Sequence, residues 1–457
     1  MTDIKPRVLI IHALRPTSRQ TTIDHLLAFR EHLPNADVQY LHFAQPLPKD
    51  IADGVSPDLL IVNYDYLNYR FTPLWPYIKN RHRGIARRAG RVVAIPQDDF
   101  WCHRLLDNWC VSWGVKRILT PIDNDLEVLY PKSSKRAEFK TVLTGYAPAK
   151  AMGTVALPER PIDLGQRVRM MPPHLGSYAQ QKAEQSLHLA AAARQAGFIV
   201  DISTRTEDGF IGSAWHEFLT QCKFTVGMKG GASIADPYGL LYSRVEAYKH
   251  RHSGRELTSQ SFGFLRRRDN RHRFSAISPR LFEAAAAGTC QILRLDDYLG
   301  VLEPWTHYIP LHDDYANMDE VIRAMVDIES ASRMAKRAQE VLIDSGNFGY
   351  SHLVMAAIEG SSNAVKATGV SGWQALKDWL EISARLSAPT TQALSDATFH
   401  LIYESLRQPD KSIAADTVVD YLHRESASEW LRLMSDLTAS DKLSWRMPWI
   451  PRLLPIS

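Results

Sequence analysis

Four cysteines occur in 457 residues, Cys102, Cys110, Cys222 and Cys290, and no two stand as C-x-x-C. That spacing excludes a readable disulfide framework or zinc ribbon and suits a reducing compartment, so a cytoplasmic setting is expected. Long apolar runs are also missing. The first, Val8 to Ile11, is too short for a signal segment, and no stretch approaches the ~18 uninterrupted apolar residues a membrane span needs, so neither secretion nor a transmembrane segment is expected. Charge of one sign is absent too: 54 Lys and Arg stand against 50 Asp and Glu, a formal charge of +4. A chain so nearly balanced is not a general nucleic-acid binder, and any basic function must be local.

What is present is an ordinary globular composition, 45% hydrophobic and 23% charged, long enough for two or three domains. From residue 7 onward, short β-branched runs alternate with polar helix-forming stretches. The runs at 7–14, 37–43, 58–64, 91–97, 117–121 and 141–146 predict parallel strands, with helices between them at 23–32 and at 77–89 before Gly90. A Pro-, Gly- and Ala-rich stretch at 147–161 reads as a connector. The alternation then restarts with strands at 167–171, 198–202 and 223–228 and helices at 180–195 and 214–221. The expected fold class is therefore α/β. It comprises a first Rossmann-like domain (1–150) and a second (160–350), with a ligand cleft between the carboxyl edges of their sheets. From about 371 to 457 the strand signal ends. WQALKDWLEISARL sets Trp373, Leu376, Trp379, Leu380 and Leu386 near one helical face, predicting a C-terminal helical extension of unknown role. Five of the eleven tryptophans fall in this last part of the chain, and Pro448, Pro451 and Pro455 keep its end from being a regular helix.

ISPRLFEAAAAGTCQILRL, residues 277–295, carries the most chemistry. Ser278 suits a helix N-cap, Pro279 the first helical position and Gly288 a left-handed stop, after which TCQILRL reads as a buried strand. An anion is stabilised at such a helix tip, where Arg280 adds donors, and Glu283, three residues on, can accept the hydroxyls of a ribose. The competing reading is a solvated i,i+3 pair between Arg280 and Glu283.

ISPRLFEAAAAGTCQIL and the following HYIPLHDDYANMDEVI (307–322) resemble the carboxy-terminal domain of the group 1, CgeB-like glycosyltransferases, relatives of glycosyltransferase family 4 with the GT-B fold. RPIDLGQRVRMMPPHLGSYAQQK (160–182), GMKGGASIADPYG (227–239) and IPQDDF (95–100) are similar to that family too. The resemblance covers most of residues 1 to about 345. It implies a nucleotide-sugar donor on the second domain, a glycan or other hydroxyl acceptor on the first, transfer with retention, and no metal or other cofactor. By motif, Glu283 resembles the second Glu of the family's E-x7-E pattern, which binds the donor ribose. Ser275 stands where the first Glu belongs. Lys182 resembles the residue that neutralises the donor diphosphate; its usual Arg companion has no match near Ser177 and Tyr178, and Arg169, Arg280 or His174 can take its place.

Further candidates follow from position. Gly230 and Gly231 permit close backbone approach to a ligand, and Asp236 is an acceptor for sugar hydroxyls with a catalytic role, unless the segment is only a Gly-rich turn with an Asx-Pro stop. His12, at the end of the first strand, is either a general base for an inverting transfer, oriented by Asp24, or an acceptor-binding or merely satisfied polar residue. Gln97, Asp98 and Asp99 are acceptor-side or structural. Residues 244–273 hold nine Lys and Arg against three acids, read either as a loop that contacts an anionic surface, such as the inner face of a membrane, or as a solvated loop. Its few aromatics argue against nucleic acid. Two other functions stay open: a nucleotide- or anionic-polymer-binding protein without turnover, and a nucleotide-sugar epimerase of the same fold.

Overall fold

The computed structural model describes residues 5–14, 18–43, 47, 49–72, 75–152, 155–210, 214–251 and 257–359. The helical extension expected over 371–457 lies outside the described residues. Six strands, β1 (Arg7–His12), β2 (Asp37–His42), β3 (Leu59–Val62), β4 (Arg91–Ala94), β5 (Arg117–Thr120) and β6 (Glu138–Thr141), form one all-parallel sheet ordered β2-β1-β3-β4-β5-β6. Alternate residues of its strands enter separate cores. Leu9, Ile11, Leu60 and Val62 pack on one face, and Val8, Ile10, Leu59 and Ile61 on the other. A sheet covered on both faces requires such continuous apolar runs.

The second sheet is built from β7 (Ile162–Arg167), β8 (Val200–Ser203), β9 (Cys222–Gly227), β12 (Cys290–Arg294) and β13 (Ile309–Leu311), ordered β13-β12-β9-β7-β8 and parallel throughout. A short antiparallel pair, β10 (Gly230–Ala232) with β11 (Phe274–Ala276), stands apart from it. The chain then returns: helix Ser351–Ile358 buries Leu353, Val354 and Ala357 in the first domain's core beside Leu26 and Phe29. The connector ends at Arg160, whose buried guanidinium donates to the carbonyls of Cys222 and Ala287 and to Thr289 Oγ1, pinning it to the second domain. Two Rossmann-like domains facing a cleft, with a final helix crossing back, make a GT-B type architecture.

Several local expectations are corrected. The strand expected at 167–171 lies earlier, at Ile162–Arg167, with Gly165 inside it where the packing leaves no room for a side chain: a Cβ there would meet Cys222 Sγ at 2.2 Å and Phe218 Cζ at 2.9 Å. The strand expected at 141–146 ends at Thr141. The helix expected at 77–89 is two, Trp75–Arg81 and Arg83–Arg88, separated at His82. The basic segment is not a plain loop. Helices Leu240–Arg251 and Gly263–Arg266 bury Leu241, Val245, Phe262 and Leu265 against Ile234.

Candidate functional site

In the second sheet β7 is flanked by β8 on one side and β9 on the other, so a crevice opens at the carboxyl ends of β7 and β9. The first sheet has its own switch between β1 and β3, where the Ala13 N–H donates to Asp65 Oδ2 at 3.0 Å. The two crevices face each other. From the second domain, Gln166 at the end of β7, Lys182 on helix Ser177–Gln195, and Ser278 and Arg280 at the start of helix Arg280–Ala286 line one cavity, with Trp215. From the first domain, Arg19 precedes helix Gln20–His32, and its charge acts on both Lys182 and Arg280.

The helix Arg280–Ala286 presents its amino end to the opposite domain. Thr144 Oγ1 donates to the Ile277 carbonyl at 2.6 Å, and a Cβ on Gly145 would lie 2.9 Å from Pro279 Cβ. The stop at Gly288 is in the left-handed region, φ +61°, and the next strand, β12, is buried throughout. The expected cap is corrected in detail: Ser278 makes no side-chain cap, and its Oγ instead accepts from Lys182 Nζ at 3.3 Å.

Arg280 donates through Nη1 to Gln166 Oε1 at 2.6 Å and to the Arg167 carbonyl, with its guanidinium 4.5 Å from the Trp215 ring centre. Trp215 Nε1 donates to Glu283 Oε2 at 2.7 Å, so Arg280 and Glu283 do not form the simple surface pair that spacing allowed. Burial pushes the Lys182 ammonium down to about 7, and Arg280 adds to the push; Glu283 opposes it. Burial likewise lowers Arg280 to about 10, opposed by Glu283 and reinforced by Arg19. Across the gap, loss of solvent raises the Asp24 carboxyl to about 6, and Glu283 is among the charges that add to it. Three cations thus converge on a crevice where Glu283 is the opposing charge acting on Lys182 and Arg280, and the crowding among them is relieved when an anion enters.

The other expected residues are placed as follows. Arg169 is exposed, and its positive charge acts on Asp98 across the cleft. Asp98 adopts φ +53° and Cys102 φ +54°; the loop between them is held by the buried Arg70 guanidinium, which donates to the carbonyls of Gln97, Asp98 and Trp101. Asp99 is structural, its Oδ2 accepting from Thr120 Oγ1 and Tyr130 OH at 2.5 Å each. Gln97 donates to the Thr144 carbonyl at 3.1 Å. Ser275 lies on the wall of a second cavity of about 620 Å³, away from the Lys182 cluster, together with Lys140, Lys229 and His352. The side chain of His174 is fully buried between Trp101 and Tyr242, with neither ring nitrogen hydrogen-bonded. It closes the contact between domains and supplies no charge, since burial pushes it down to about 3.

Four assignments are corrected. His12 is no free base: it is buried against Tyr40 and His42, its Nδ1 accepts the Leu14 N–H at 3.2 Å, and burial holds it well below its ordinary range. Asp24 bonds to Gln20, not to His12. Asp236 is fully buried; its Oδ2 accepts the Tyr242 N–H at 2.9 Å near the start of helix Leu240–Arg251, and its backbone bonds to Phe100 and Cys102 of the first domain. That is a capping and docking task, not sugar contact. Gly231, at φ +142°, is required by strand pairing, since a Cβ would meet the Phe274 carbonyl oxygen at 1.8 Å; a Cβ on Gly230 would meet nothing within 4 Å. Neither glycine is among the residues of the Lys182 cavity.

In the basic segment, Asp269 accepts both from the Ser177 N–H and from Ser233 and Ser259, tying the segment to the start of helix Ser177–Gln195. Arg273 pairs with Asp296 at 2.9 Å, while Arg266, Arg267, Arg268 and Arg271 stay exposed. Trp215, Gln166 and Arg19 were not singled out by the sequence. Gln166 stood just before the strand expected at 167–171 and falls at a strand's carboxyl end only once that strand is found at Ile162–Arg167; nothing in the local sequence marked Trp215.

Among the described residues no helix is long and apolar enough to cross a membrane. No protein-family model matches the chain, and no curated protein matches it either. Solved structures do. Anabaena Alr3699/HepE in complex with UDP-glucose is 10% identical over 77% of this chain and 98% of its own, with a TM-score of 0.42. Sucrose-phosphate synthase from Thermosynechococcus elongatus is 10% identical over 77% and 97%, TM-score 0.40. The lipopolysaccharide outer core galactosyltransferase WaaB is 11% identical over 77% and 99%, TM-score 0.38. At such values the functional reading rests on the site's own geometry.

Proposed function

We propose that the protein is a glycosyltransferase of the GT-B type that moves a sugar from a nucleoside-diphosphate donor to a glycan or other hydroxyl acceptor, with retention. One observation carries the proposal: Lys182, Arg280 and Arg19 come together where the two sheets' switch points face each other, and burial, reinforced by the neighbouring positive charge, lowers Lys182 and Arg280. A pyrophosphate there offsets that repulsion and makes charge-assisted hydrogen bonds to Lys182, Ser278 and Arg280, with Arg169 at the cleft's edge. Glu283 accepts the ribose hydroxyls. As the glycosidic bond breaks, the same cations stabilise the leaving diphosphate, and catalysis rests on this and on positioning rather than on a metal. Asp98, facing the cleft from the first domain, belongs to the acceptor side. The exposed arginines of 244–273 offer contact with an anionic surface, consistent with a cytoplasmic enzyme peripheral at the inner face of a membrane.

A second reading, nucleotide binding without turnover, draws on Ser275, which stands where the resembled family has a carboxylate and lines a different cavity. Incubation with a panel of nucleotide sugars, following diphosphate release with and without glycans, separates the readings. Acceptor-dependent release supports transfer; acceptor-independent isomerisation supports an epimerase; binding without release supports the second reading.

A further inference from the structure

Both groups assigned to the donor are already engaged, and by one side chain. The Trp215 indole N–H is donated to Glu283 Oε2 at 2.7 Å, and the face of the same ring lies 4.5 Å from the Arg280 guanidinium carbon. Trp215 also lines the cavity beside Lys182 and Ser278. It sits at the start of helix Ala214–Thr220, with its ring 5.8 Å from that of Phe218. Arg280 is turned onto Gln166 Oε1 and the Arg167 carbonyl instead of being left open to the crevice.

From this arrangement we infer that Trp215 is a built-in competitor of the donor, its indole N–H holding on Glu283 the place of a ribose hydroxyl. The inference rests on the donor-site reading above. The chemistry matches: an indole N–H and a ribose hydroxyl are both neutral donors suited to the same carboxylate, and the Trp215 ring, bonded to Oε2, lines the cavity through which a ribose would reach it. Donor entry exchanges an N–H···O⁻ bond for an O–H···O⁻ bond and frees Arg280 from the ring to meet phosphate. Trp215 therefore sets the threshold for occupancy. A ligand that brings phosphate without a hydroxyl for Glu283 has no need to displace the indole, so Trp215 weakens binding of nucleotide sugars and leaves inorganic pyrophosphate almost unaffected.

Trp215→Phe keeps an aromatic face for Arg280 and removes the N–H. Titration calorimetry with the nucleotide sugar that binds wild type best should show the variant binding about tenfold tighter, since removing a competing hydrogen bond to a charged acceptor favours the ligand. Affinity for inorganic pyrophosphate should change much less. The part of any tryptophan fluorescence change on donor binding that comes from Trp215 should be lost, leaving a smaller change in the variant than in wild type. A gain in affinity is not what loss of a merely structural contact produces. Trp215→Leu, which also lacks the donor, is read in the same way if the Phe variant does not fold. Equal or weaker donor affinity in the variants, with wild type still binding, overturns the inference and leaves the donor site standing. Absence of nucleotide-sugar binding in wild type and variants alike overturns both.

Discussion

Lys182 provides the sharpest quantitative consequence. Burial, reinforced by Arg280, drives its ammonium down from an ordinary 10.5 to about 7. A nucleotide-sugar pyrophosphate has no ionisation near neutrality, because each phosphorus carries one ester and one anhydride bond and so lacks the second, weakly acidic hydroxyl of a monoester; its own charge is constant there. The ligand prefers the charged lysine and must therefore raise its pKa on binding. Protonation falls from roughly one-half at pH 7 to roughly one in a hundred at pH 9, so affinity should fall about fiftyfold, or about 2 kcal/mol. The window lies above the Asp24 carboxyl, at about 6. Calorimetry at pH 7, 8 and 9 in buffers of differing ionisation enthalpy reads both quantities, and proton uptake should approach one per ligand at pH 8 to 9. Lys182→Arg, charged throughout, should bind with a flat profile, and Lys182→Met should bind weakly without uptake. A flat wild-type profile, or a slope that survives in Lys182→Met, refutes the reasoning.

Glu283→Ala should weaken donor binding by about 1 to 3 kcal/mol through lost hydrogen bonds to a charged acceptor, measured by the same titration; unaltered affinity removes Glu283 from the site. His174 bears on acid stability. Its folded pKa, about 3, lies below the ordinary 6.5, so the unfolded chain binds a proton that the folded one refuses. Stability from this residue is present above pH 6.5 and is lost as pH falls towards 3, at ~1.4 kcal/mol per pH unit. In urea melts, His174→Phe should show a shallower decline between pH 6 and 4 than wild type, and identical slopes would contradict the burial argument. Gly231→Ala should destabilise the fold by about 2 kcal/mol or more, because it combines a positive φ with a clash on the Phe274 carbonyl. Gly230→Ala, in open space, should stay within ~0.5 kcal/mol of wild type.

The helix beginning beside Pro279 and the strand after Gly288 were legible because proline placement and a left-handed stop are local effects, readable over a dozen residues. The side-chain cap expected of Ser278 was not, because its Oγ is taken by Lys182, almost a hundred residues away. The parallel sheet of the first domain was legible too, since its doubly buried strands are continuous apolar runs. What escaped was tertiary in origin. The strand at Ile162–Arg167 includes Gly165, whose fit depends on Phe218 and Cys222 packed against it and not on anything local. The short β10 and β11 strands pair across more than forty residues. His12 and Asp236 carry reactive groups at promising positions, yet a neighbouring backbone N–H occupies each. Trp215 lies 65 residues before Arg280, so its role becomes visible only when the two are brought into contact.

Titration of the wild-type protein and Arg280→Ala with nucleoside-diphosphate sugars, at pH 7 and low salt, tests the cationic crevice most directly. Binding of at least one such donor, lost or weakened by tenfold or more in the variant, is the expected result. Equal affinity in the two proteins, or no affinity of the wild type for any donor tried, contradicts it.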